Sequence, residues 1–111
     1  FVSGTSSRRP DNSYAGAELT PTGEWQLDIK TQTRAVLENI LHYLQLNGGD
    51  LSHLVDVTVF LKNMADFDAY NEVYNSFFPA TGPCRTTVEV SALPRPQILI
   101  EIKGTAYLEE K

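Results

Sequence analysis

Residues 53–63, "HLVDVTVFLKN", decide the fold class. Leu54, Val55, Val57, Val59, Phe60 and Leu61 form a nearly continuous apolar, β-branched run. A strand buried on both faces has this pattern. Directly after it Asp66 stands where a helix N-cap belongs, and Phe67, Tyr70, Val73, Tyr74 and Phe77 follow at helical spacing. "FPATGP" at 78–83 breaks that helix. Downstream, "RTTVEVSAL" (85–93) alternates like a strand, "LPRP" turns the chain, and "QILIEIKGTAYL" (97–108) reads as a last strand.

Upstream, Asp28 opens another helix, with Ile29, Thr33, Val36, Leu37, Ile40, Leu41 and Leu44 on one stripe and Gly48 as its stop. Phe1 to Thr5 suits a strand. Ser6 to Gln26 is rich in Ser, Pro, Asn, Gly and Thr and reads as one long loop. Loops above about 12–15 residues are uncommon unless functional or mobile. The order β–loop–α–β–α–β–β predicts an α+β domain, a mixed sheet with two helices on one face. The other face needs cover, and oligomerisation supplies it most simply for so small a chain.

The chain has 111 residues, 41% of them hydrophobic, which fits one domain over 1–111. Such a length buries roughly 65% of the surface that the unfolded chain exposes. Fourteen acidic against nine basic residues give a net charge of −5. This argues against a nucleic-acid partner, which requires a basic stripe. A small anionic ligand remains compatible, because two or three placed cations hold one. The single cysteine, Cys84, precludes an internal disulfide and fits a reducing, cytoplasmic setting. No apolar run approaches the ~18 residues of a membrane span. The chain starts at Phe1, inside a strand-like stretch, which predicts further residues upstream in the natural protein.

Motifs with built-in chemistry are missing: no phosphate-cradling glycine loop, no nucleophile elbow, and no third ligand near His42 or His53. Neither metal nor cofactor is expected. Cys84, beside a proline, reads as a small packed residue. Glu101 interrupts the apolar strand Ile98-Leu99-Ile100-Glu101-Ile102 and by alternation shares a face with Leu99 and Lys103. It is either an edge-strand charge that keeps the protein soluble or a desolvated group with a task. Arg85 opens its strand directly after the break, as a strand-end cap or as a charge with a task. Arg8 and Arg9, adjacent in "SSRRPDN", are either solvated charge or a pair awaiting an anion.

"VSGT" (2–5), "QTRAVLENI" (32–40), "VDVTVFLKNMADFDAYNEVYNSFF" (55–78), "GPCRTTVEVSALP" (82–94) and "IEIKGTA" (100–106) together resemble the Rid family, YjgF-type reactive intermediate deaminases. The resemblance covers nearly the whole chain with its blocks in order. It implies a chorismate-mutase-like α+β fold and a homotrimer whose sheets form an inner barrel with clefts between subunits. In the family's pattern Arg85 binds the substrate carboxylate and Glu101 positions the attacking water. Ser3 and Gly4 match the segment lining the cleft. Thr87 stands where many members carry a cysteine. A tyrosine usual upstream of the first strand lies before Phe1. Arg34, Asn39 and Asn71 also match, and on helices they read as structural.

"SGTSSRRPDN", "QTR" and "LPRPQ" are most similar to the branch of the family acting on 2-aminomuconate. The resemblance then implies a C–N hydrolase converting this dicarboxylate enamine to 2-oxohex-3-enedioate (4-oxalocrotonate) and ammonia, with Arg8 or Arg9 holding the second carboxylate. A broader deaminase of 2-aminoacrylate-type enamines, and a non-catalytic or ribonuclease-like, translation-inhibiting trimer, are the alternatives.

Overall fold

A computed structural model of the chain describes residues 1–109. Six strands, β1 (Val2–Thr5), β2 (Ala17–Leu19), β3 (Trp25–Leu27), β4 (Leu54–Leu61), β5 (Cys84–Glu89) and β6 (Ile100–Ala106), accompany two helices, α1 (Ile29–Leu46) and α2 (Phe67–Phe77). Four strands form one sheet in the order β1-β6-β4-β5. β6 runs antiparallel to both β1 and β4, while β5 runs parallel to β4. That parallel pair is the consequence of α2: a helix between two strands returns the chain to the same end of the sheet.

Both helices lie on one face of the sheet. α1 starts where the Asp28 carboxylate accepts from the Lys30 amide at 3.1 Å, and it buries Ile29, Val36, Leu37, Ile40 and Leu44. α2 buries Tyr70, Val73 and Tyr74. Asp66 occupies the cap position of α2 without making a capping bond; Asn63, which accepts from the Ala65 amide, caps the short turn that leads into it. Val57, Val59 and Leu61 of β4 and Ile100 and Ile102 of β6 meet the helices in a fully buried core.

Four expectations need correction. β4 is buried on one face only: Asp56 is exposed, and Thr58 and Phe60 are half-buried. The continuous apolar run arises instead from a bulge. Leu54 pairs with Ala106 and Asp56 with Thr105, so Val55 is an extra residue, 50% exposed. An inserted residue reverses the alternation, and Leu54 and Val57 both reach the core. Second, residues 6–26 are not one loop. β2 and β3 form a hairpin around Thr20-Pro21-Thr22-Gly23, where the Gly23 amide donates to the Thr20 carbonyl at φ +85°. Proline early in the turn and glycine at the left-handed position are what such a turn requires. Third, the last strand spans 100–106, shorter than the expected 97–108. Ahead of it the buried Gln32 amide donates to the Gly16 and Gln97 carbonyls and its oxygen accepts from the Leu99 amide. A side chain replaces a neighbouring strand there. Cys84, expected to be packed, is exposed on the edge strand. No helix among the described residues is long and apolar enough to cross a membrane.

Candidate active site

Arg85 sits near the start of β5, opposite Val57 in the register. Val57 faces the helices, so Arg85 and Thr87 do as well. The Arg85 Nη1 donates to the Tyr70 hydroxyl at 3.1 Å and to Asn71 Oδ1 at 2.8 Å. Its guanidinium lies 4.2 Å from the Tyr74 ring centroid and 5.7 Å from that of Tyr70. The Tyr70 hydroxyl also meets Thr87 Oγ1 at 2.7 Å. Burial pushes the Tyr74 phenol up to about 12, against the opposing pull of the Arg85 charge. An exposed side chain is thus held on its face and at one nitrogen, so Arg85 is a fixed rather than a freely rotating charge.

Glu101 lies on the other face of the sheet. Its neighbours Ile100 and Ile102 point to the core, so alternation turns Glu101 outward, in one row with Phe60 and Val88. β6 is an interior strand between β1 and β4, which removes the edge-strand explanation for this charge. Glu101 is half-buried, and desolvation raises its carboxyl above the usual value. Gly4 makes room for it. A Cβ at Gly4 would come within 3.0 Å of Glu101 Oε1. Glu101, Gly4 and the adjacent Ser3 therefore form one cluster on the open face.

The arginine pair divides. Arg8 borders a groove of about 590 Å³ lined also by Ser3, Gly4, Asn39 and Tyr43. Its Nε donates to Asn12 Oδ1 at 3.0 Å, and its Nη2 reaches the same oxygen. Arg9 is outside that lining and donates to Ser13 Oγ at 3.3 Å. The segment from Arg9 to Ser13 is a tight turn, with the Asn12 amide on the Arg9 carbonyl and Asn12 at φ +72°. Asn39 fastens it to α1 by donating to the Ser6 and Arg8 carbonyls, in keeping with a structural role. Among the described residues no carboxylate approaches Arg8 within 4.0 Å, and no three His, Cys, Asp or Glu side chains gather closely enough to hold a metal.

One chain therefore brings together Arg85 with Thr87, and separately Glu101 with Gly4 and the neighbouring Ser3, while Arg8 lines a groove that includes Ser3 and Gly4 but not Glu101. The two groups occupy opposite faces of one sheet. A sequence model of the family described as Endoribonuclease L-PSP matches residues 1–108. The chain belongs to this family. A RutC family protein of Pyrococcus horikoshii is 51% identical over 82 residues, 74% of this chain. The 3-aminoacrylate deaminase RutC of Acinetobacter baylyi is 42% identical over 81 residues, 73% of this chain. Each match spans 64% of the relative's own length. Among solved structures, a Thermotoga maritima protein provisionally described as an endoribonuclease superposes with a TM-score of 0.79 at 38% identity, covering 99% of this chain and 79% of that one. The family is also that of the YjgF and Rid proteins, and its structures share two helices packed on one mixed sheet.

Within this L-PSP fold three residues of the Arg85 group escaped the sequence reading. Asn71, structural by its place on the helix, accepts from Arg85, a contact the sequence does not signal. Tyr70 and Tyr74 looked like plain core. The available signal was the Tyr70 phenol: a buried tyrosine hydroxyl usually finds a polar partner.

Proposed function

We propose that this chain is a hydrolytic enamine/imine deaminase and that its substrate is 2-aminomuconate. Glu101 carries the reading: a half-desolvated carboxylate with a raised pKa, beside a glycine that leaves it room, is a general base in waiting. The enamine tautomerises to an imine, whose carbon is already electrophilic. Arg85 anchors the adjacent carboxylate through a bidentate pair. Glu101 takes a proton from water as the water oxygen bonds to the imine carbon, giving a carbinolamine. That proton passes to the imine nitrogen, the carbinolamine hydroxyl proton follows it by way of Glu101, the C–N bond breaks as the carbonyl forms, and ammonia leaves a 2-oxo acid. Positioned acid–base catalysis contributes roughly 10²- to 10⁴-fold. No metal or organic cofactor enters these steps.

Arg8 supports the dicarboxylate substrate, since it is a cation on the groove that Ser3 and Gly4 line. The relative named 3-aminoacrylate deaminase favours a second reading, in which a monocarboxylate enamine is the substrate. Because Arg85 and Glu101 face opposite sides of their own sheet, the complete site is assembled between chains, in a homotrimer whose open sheet faces turn inward. The test supplies freshly generated 2-aminomuconate, and separately 2-aminoacrylate, and measures ammonia release above the spontaneous rate. Acceleration of the first establishes the proposal. Acceleration of the second alone makes the monocarboxylate reading correct, and acceleration of neither rejects both.

A further inference from the structure

The hydrogen bonds around Arg85 have a fixed direction. A guanidinium only donates, so the Tyr70 hydroxyl accepts from Arg85 Nη1 at 3.1 Å. Tyr70 is fully buried, and its one proton needs an acceptor. Thr87 Oγ1, 2.7 Å away, is that acceptor. The reverse arrangement, with Thr87 donating, leaves a buried phenol proton unpaired, which is the costly option. The Thr87 hydroxyl proton is consequently free to donate to something else. At the same time both Nη1 protons of Arg85 are spent, one on Tyr70 and one on Asn71. Only the Nε–Nη2 edge remains as a fork for a carboxylate.

We infer that Tyr70 is a positioning residue that commits Arg85 to carboxylate binding through its Nε–Nη2 edge and makes Thr87 a hydrogen-bond donor beside it. This rests on the deaminase reading for its substrate and on the local geometry for everything else. Tyr70→Phe keeps the ring in the core and removes only the relay. Its KM for the enamine rises about tenfold, the effect of losing one hydrogen bond at a charged group, while kcat stays within about twofold because Glu101 is untouched. Thr87→Val produces the same rise and Thr87→Ser restores the wild-type value. The double variant is no worse than either single one, since both cut one relay.

Two readouts need no turnover. ¹⁵N NMR of the Arg85 side chain shows restrained Nη resonances in the wild type and averaged ones in Tyr70→Phe. Affinity for pyruvate, the 2-oxo acid from the simplest such enamine, falls in parallel with the KM rise. Unchanged Arg85 resonances in Tyr70→Phe overturn the inference, as does an unchanged pyruvate affinity in Thr87→Val. A wild-type protein with a restrained, pyruvate-binding Arg85 that releases no ammonia from any enamine overturns the deaminase reading and leaves the inference standing.

Discussion

Glu101 is a residue whose environment works against its charge. Its carboxyl is raised by desolvation alone, with no opposing cation among the causes. Folding therefore shifts Glu101 toward its protonated form. A folded pKa above the unfolded one contributes stability that is complete below the unfolded value, near 4.5, and is lost as pH rises through the folded value. At neutral pH the ionised Glu101 thus costs stability. Glu101→Gln should raise the midpoint of thermal unfolding at pH 7, with the gain vanishing toward pH 4. The same change removes the proposed base, so kcat should fall by about 10²- to 10⁴-fold with little change in KM. Wild-type kcat should rise with pH through a midpoint above the ordinary glutamate range. A variant both less stable at pH 7 and fully active would make Glu101 a structural charge. Tyr74 offers a contrast. Its hydroxyl is buried without a partner among the described residues, so Tyr74→Phe should stabilise by about 1 kcal/mol, read in denaturant unfolding, while the ring stays under Arg85.

At the scale of elements, the turn after β1 gives two neighbouring arginines different surroundings. Arg8 faces the groove beside Ser3 and Gly4, whereas Arg9 is tied to Ser13 within the turn. Arg8→Ala should raise KM for 2-aminomuconate about tenfold and leave 2-aminoacrylate within a few-fold, and Arg9→Ala should change neither by more than about twofold. Equal, small, salt-sensitive effects from both would mark them as screened surface charge. The sequence could not sort this pair, because the sorting depends on Asn12 in the left-handed region and on Asn39, remote in the chain and bonded to the loop carbonyls. α1 and α2 were legible from their stripes, since period 3.6 is a local signal. The β4 run was legible as a strand but misleading about its faces, because the bulge at Val55 counterfeits two-sided burial. The contact of Asn71 with Arg85 was unreadable for a related reason. Only the parallel register of β4 and β5 sets Arg85 against α2, and register is a property of pairing rather than of either segment.

The molecule as a whole presents a problem that its own chain cannot solve. Arg85 points to the helix side of an edge strand, and Glu101 points to the open side of an interior one. No rotamer carries either side chain through a sheet. The open face also carries Phe60 and the partly exposed Val88, apolar surface that association would remove from water. If copies assemble in a ring so that Arg85 of one meets Glu101 of the next, every site needs two chains. Arg85→Ala and Glu101→Gln proteins should then each be nearly inactive. Unfolding them together in equal amounts and refolding the mixture should restore activity. In a cyclic trimer a site works only where a chain with intact Arg85 precedes one with intact Glu101. Random assembly leaves about three quarters of the rings mixed, and each mixed ring holds one such junction out of three, so recovery should approach about a quarter of the wild-type rate. Light scattering on the same samples should report three chains per particle. Recovery near zero from well-folded mixed trimers would mean that one chain supplies both residues, which the two faces of the sheet forbid, or that one of the two takes no part in the reaction.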